Sequence, residues 1–182
     1  IGDPATLNDI GNASSLSYGI LATNQSDIKI YNNSVRNVTA SAAQVDGINI
    51  VTFKGTCEVY NNKVQTIKNS STTSTTGISG IAASHTTTGT HSIRIYNNAV
   101  SEILTSFTGA ATATRIARGI WIRGTAGATT QSYEIWNNNV SIDGTGNLNA
   151  SNSCFEISTT SGPVFTVRNN IFANYTPAQG AT

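Results

Sequence analysis

Methionine is missing from this chain, proline occurs three times and cysteine twice. Charge is scarce as well: 182 residues carry ten Lys or Arg and nine Asp or Glu, for a formal net charge of +1. Each scarcity excludes something. Phosphate backbones are held by clustered Lys and Arg, so no nucleic-acid partner is expected. A polybasic membrane patch and an acidic tail are excluded on the same ground. No run of about 18 apolar residues exists, so no membrane span is expected. No window reads as a capped helix. The absent methionine and the start at Ile1 point to an upstream segment that was removed, or to a longer parent chain. No signal peptide is visible.

What the chain does have is repetition. The pair Asn-Asn occurs five times in nearly one setting: Ile-Lys-Ile-Tyr-Asn32-Asn33, Cys-Glu-Val-Tyr-Asn61-Asn62, Ile-Arg-Ile-Tyr-Asn97-Asn98, Tyr-Glu-Ile-Trp-Asn137-Asn138 and Phe-Thr-Val-Arg-Asn169-Asn170. Self-similarity of this kind marks a solenoid. A second segment precedes each motif: Gly19-Ile20-Leu21-Ala22, Gly47-Ile48-Asn49-Ile50, Gly80-Ile81-Ala82-Ala83, Gly119-Ile120-Trp121-Ile122 and Cys154-Phe155-Glu156-Ile157. A third, opening on Val35, Val64, Val100, Val140 or Phe172, follows it. All are short, alternating and rich in β-branched residues, as half-buried strands are.

Three strands per turn and about five turns make an all-β parallel β-helix over 18–175, with 1–17 as lead-in and 176–182 as a tail or the start of a further coil. The inward files are Ile28/Cys57/Ile93/Tyr133/Phe165, Ile30/Val59/Ile95/Ile135/Val167 and Ile20/Ile48/Ile81/Ile120/Phe155. Each coil then buries its apolar face only against its neighbours. The Asn pair marks a tight corner, because Asn tolerates left-handed backbone. Stacked Asn amides at that corner can bond from coil to coil. Simple alternation points the first Asn of each pair inward and puts the second in the bend. Which of the two forms the ladder stays open at this level.

The pattern Ile-x-Ile-x-Asn-Asn-x-Val with Gly-Ile-x-Ile resembles the right-handed parallel β-helix repeat family. That family holds pectate lyases, other polysaccharide-degrading enzymes, phage tailspikes and large bacterial surface proteins. The resemblance implies a right-handed, single-stranded helix and says little of activity, because one fold hosts many functions. The Asn-rich style and the ending Val-Arg-Asn-Asn-Ile-Phe-Ala-Asn resemble long exported surface proteins of Bacteroidetes type more than lyases.

In-register stacking also generates outward columns. One reads Lys29, Glu58, Arg94, Glu134, Thr166, with signs alternating at about 4.8 Å. The next reads Tyr31, Tyr60, Tyr96, Trp136, Arg168, either a stacked ladder that stiffens the sheet or an aromatic strip for sugar rings. Trp121 points outward beside Arg123, with Arg115 and Arg118 before it, a basic spot that suits an anionic sugar. Insertions at 40–46, 68–77, 104–117 and 143–152, and at 85–91 and 124–131, read as loops. His85 and His91 then lie on a loop with no third metal ligand beside them. Cys57 and Cys154 fall three coils apart, about 14 Å, too far for a disulfide, so both are expected as free, buried thiols. Asn-x-Ser/Thr occurs at Asn12, Asn24, Asn32, Asn37, Asn69, Asn139, Asn149 and Asn174, which abundant Asn, Ser and Thr largely explain.

Catalysis has little to rest on. Glycoside hydrolysis needs two carboxylates about 5–9.5 Å apart, and Ca²⁺ needs six to eight oxygens. No two acidic residues share an outward column on adjacent coils, and no catalytic residue, metal site or cofactor is assigned. The expectation is a non-catalytic, exported scaffold at a cell surface or in a filament. It would continue into a longer chain or associate head to tail through open strand edges. A carbohydrate-binding module using Tyr31, Tyr60, Tyr96, Trp136, Trp121 and Arg123, with a polysaccharide as partner, is the alternative. A polysaccharide lyase or hydrolase comes after that.

Overall fold

In the computed structural model the described residues are 8–9, 12–13, 17–41, 43–73, 77–85, 90–106, 115–124, 130–142, 151–158 and 164–175. The lead-in and tail lie outside them, apart from two short strands, β1 (Asn8–Asp9) and β2 (Asn12–Ala13), and Ser17. Five coils follow. They are β3 (Ser17–Thr23), β4 (Lys29–Tyr31) and β5 (Ser34–Ala40), then β6 (Val45–Val51), β7 (Gly55–Tyr60) and β8 (Lys63–Asn69). The next is β9 (Ile78–His85), β10 (Thr90–Tyr96) and β11 (Ala99–Thr105), and then β12 (Arg115–Gly124), β13 (Thr130–Trp136) and β14 (Asn139–Ile142). The last is β15 (Ser151–Ser158), β16 (Val164–Arg168) and β17 (Ile171–Asn174).

Every strand pairs in parallel with its equivalent one coil away, which makes three sheets of a right-handed parallel β-helix. The glycine sheet runs β3-β6-β9-β12-β15 and the tyrosine sheet β4-β7-β10-β13-β16. The third, valine-rich sheet runs β1-β5-β8-β11-β14-β17, with β2 also on β5. The register follows the repeat: Ile30, Val59, Ile95 and Ile135 stack in one fully buried file. Val167 continues it in the last described coil and stands 45% exposed.

Glycine recurs where the glycine sheet meets the valine-rich one. A Cβ on Gly80 would sit 2.3 Å from Val100 Cγ1 and 2.7 Å from the Gly119 carbonyl oxygen. The backbone contact cannot be relieved by a rotamer change. Gly80→Ala is therefore expected to destabilise by about 1–3 kcal/mol, as overpacking does, and Val100→Ala to restore only part of the loss. Thermal melts of the two variants and their double variant check this.

The corner between the glycine and tyrosine sheets differs from the expected loop. His85 ends β9 and His91 lies in β10, and both face inward and are buried. Their rings stack at 5.0 Å, and Phe53 meets both edge-on at 6.0 and 5.7 Å. Nε2 of His85 pairs with the Tyr133 hydroxyl of the next coil. The reason is phase: Ile81, Ala83 and His85 share one side of β9, as His91, Ile93 and Ile95 do on β10. The inserted stretch is correspondingly shorter than 85–91. Cys57 and Cys154 are both free and buried, and burial pushes the Cys57 thiol up to about 12.

Candidate functional site

Among the described residues the Asn corner carries a continuous chain of side-chain hydrogen bonds. The first Asn of each pair (Asn32, Asn61, Asn97, Asn137, Asn169) has φ between 52° and 56° and faces solvent. The second turns inward: Asn33, Asn62, Asn98 and Asn138 are buried, and Asn170 half-buried. Simple alternation fails here because left-handed backbone at the first Asn rotates the chain and hands the inward place to the second. Each inward side chain then does one job many times over. Oδ1 of Asn98 accepts from the backbone N–H and Nδ2 of Asn62, both at 3.0 Å. Nδ2 of Asn98 donates to Oδ1 of Asn138 at 3.0 Å, to the Val59 carbonyl at 2.9 Å and to the Tyr96 carbonyl at 3.0 Å. The chain of amides runs unbroken from Asn33 through Asn62, Asn98 and Asn138 to Asn170.

The charged column pairs internally. Lys29 Nζ lies 2.9 Å from Glu58, Arg94 Nη1 3.3 Å from Glu58, and Arg94 Nε 3.6 Å from Glu134. The hydrogen bond from Lys29 holds the Glu58 carboxyl below the usual carboxylate range. The aromatic column stacks too. Ring centroids are 5.0, 4.8 and 4.5 Å apart from Tyr31 through Tyr60 and Tyr96 to Trp136, with planes within 4° of parallel. Arg168 lies 5.7 Å over Trp136. Both faces of Tyr60 and Tyr96 are thereby taken by neighbouring rings, and those of Trp136 by Tyr96 and Arg168.

Trp121 is half-buried on the outer side of the glycine sheet, its ring flanked by Arg118 at 3.9 Å and Arg123 at 4.3 Å. Arg118 Nε donates to Glu156 at 2.9 Å, and Trp121 Nε1 to Ser158 Oγ at 3.1 Å. The spot is thus balanced by a carboxylate and less basic than its three arginines suggest. The Arg115 side chain lies outside the described residues.

Beside these groups sits a cluster that sequence reasoning missed. The residues that precede each glycine, or Cys154, stack as Tyr18, Asp46, Ser79, Arg118 and Ser153. Asp46 and Ser79 are fully buried and Asn49 nearly so. Asp46 Oδ2 accepts from Gln44 Nε2 and Asn49 Nδ2, each at 2.7 Å. Burial pushes the Asp46 carboxyl from 3.8 up to about 6. Hydrogen bonds from Gln44 and Ser79, then the charges of Arg123 and Arg118, oppose that rise without cancelling it. Tyr18, at the rim, is raised by its own burial and by Asp46. Aligning the residue before each glycine is the signal that finds this cluster.

No group of three or more His, Cys, Asp or Glu side chains suited to a metal ion occurs among the described residues. No protein-family model, curated protein or solved structure matches the chain.

Proposed function

We propose that this protein is a non-catalytic, extracellular β-solenoid scaffold, of the kind that builds surface or filament assemblies. The observation that carries the reading is the register of the described coils: equivalent side chains stack in file, and the outward columns pair with themselves. In the last described coil Phe165, Val167 and Phe172 stand at core positions and are 38%, 45% and 38% exposed. Glu58 and Glu134 are held by cations and the rings by rings, so these faces stabilise register instead of presenting reactive groups.

Sedimentation velocity over a wide concentration range tests the reading, with electron microscopy of the concentrated protein. Association that grows with concentration and is suppressed by Val167→Lys is the expected result. A monomer at every concentration overturns the assembly part of the proposal.

A further inference from the structure

The charge column on the outer face of the tyrosine sheet runs plus, minus, plus, minus from Lys29 through Glu58 and Arg94 to Glu134. Pairing along the column does not use these groups up. The Lys29 side chain is 60% exposed, Arg94 42% and Glu134 34%, so each still presents charge outward. The aromatic column stands beside it, two residues further along the same strands. Its rings repeat every 4.5–5.0 Å with planes within 4° of parallel, so the column runs straight over four coils. Tyr, Trp and Arg are the residue types enriched where proteins meet proteins, and here they share one face.

We propose that this face docks a second copy of the chain, face to face, about a two-fold axis that runs along the strand direction between β7 and β10. The order of the charges selects that axis. A two-fold along the strands reverses the coil order of the partner. Lys29 then meets the partner's Glu134, and Glu58 meets the partner's Arg94, so all four charges find an opposite. Like-charge contacts are what such an interface must avoid. A two-fold along the solenoid axis would set Lys29 against Lys29 and Glu58 against Glu58. Copies with parallel axes, slid by one coil, pair three of the four charges and leave a staggered contact that does not close. The axis along the strands also lays the aromatic column on its own counterpart, Tyr60 against the partner's Tyr96 and Tyr31 against the partner's Trp136. The interface is therefore isologous, with one patch used twice. Five strands about 4.8 Å apart and up to seven residues long make a face of roughly 500 Å². Two such faces bury roughly 1,000 Å², the low end for a specific contact, which suits a reversible dimer. The proposal goes beyond the scaffold reading: it names a lateral contact that uses no apolar position of the last described coil.

Sedimentation velocity of the Val167→Lys chain tests it, because that variant removes association through the last described coil. A discrete monomer–dimer equilibrium is expected, weakened by added salt, which screens the charge pairs. Glu58→Arg and Arg94→Glu, each in that background, are expected to weaken dimerisation at least about tenfold, since each sets like charges against each other twice. An equimolar mixture of the two is expected to dimerise again. The cation introduced at 58 then faces the anion introduced at 94, and every charge has an opposite across the contact. Salt dependence needs no charge reversal, so it decides the matter should a reversed charge unfold the chain. A monomer at every concentration, a dimer indifferent to salt and to both reversals, or folded reversal variants that stay monomeric when mixed overturns the proposal. Titration with neutral oligosaccharides covers the other occupant that an aromatic face could take. Saccharide binding lost in Tyr60→Ala, with no dimer, assigns the face to a sugar and overturns the dimer. Open-ended association of the wild-type chain that Val167→Lys abolishes, with no dimer left behind, sinks the lateral contact and leaves the scaffold reading standing.

Discussion

Asn98→Leu is expected to cost about 3–5 kcal/mol, close to the limit for single substitutions. Leucine matches asparagine in size, so the loss is not one of packing. It removes the donors that reach the Val59 and Tyr96 carbonyls and Oδ1 of Asn138. It also removes the acceptor for the Asn62 backbone N–H and amide. Those partners are buried, and a buried group left without a partner costs about 1–3 kcal/mol, more than an average hydrogen bond contributes. The same change at Asn170 is expected to cost only about 1 kcal/mol, since that residue is half-exposed and water can take the place of its amide toward its partners. Asn97→Ala, which keeps the ladder but puts alanine at a φ of 55°, is expected to fall between, at about 1–2 kcal/mol. Denaturant titration of the three variants ranks them. Equal and small losses at Asn98 and Asn170 would show that the amide chain contributes little.

Much of this fold was legible because a solenoid writes its register into its repeat. Once Ile30, Val59, Ile95 and Ile135 are recognised as equivalent, in-register stacking dictates which charges pair and which rings touch, and the columns follow without further assumptions. Two differences from that reading share one cause. Strand alternation assumes extended backbone, and the chain leaves it at specific residues. Left-handed backbone at Asn32 and its equivalents exchanges the inward and outward members of the pair. The bend at Gly47 brings Asp46 and Asn49, three residues apart, to one outer side. A period-two reading puts residues at that spacing on opposite sides, so the Asp46 cluster goes unseen. His85 and His91 differ for the opposite reason: the Thr-rich insertion between them reads as loop, while strand alternation continues up to His85 and from His91 and places both inward.

Asp46→Asn is expected to stabilise the protein at neutral pH and to do little near pH 4. The ordinary aspartate value is 3.8, and burial lifts this one to about 6. Below 3.8 the carboxyl is protonated in both folded and unfolded chains, and it contributes nothing. Between 3.8 and 6 the folded protein holds the proton that the unfolded chain has released. Above 6 both are ionised, and the folded state carries the whole cost of a charge taken out of water. At 1.36 kcal/mol per pH unit the interval corresponds to about 3 kcal/mol, lost as pH rises. Glu58 works in the opposite sense, since its lowered value gives stability that disappears as pH falls. The two contributions overlap in the wild-type profile, so the informative quantity is the difference between wild type and Asp46→Asn at each pH. Asparagine keeps the shape and an oxygen for Gln44 and Asn49, and it carries no charge at any pH. The expected difference grows from near zero at pH 4 to about 3 kcal/mol in favour of the variant at pH 7. Denaturant melts in a pH series measure it, and a flat difference would mean that the carboxyl is solvated in the folded protein.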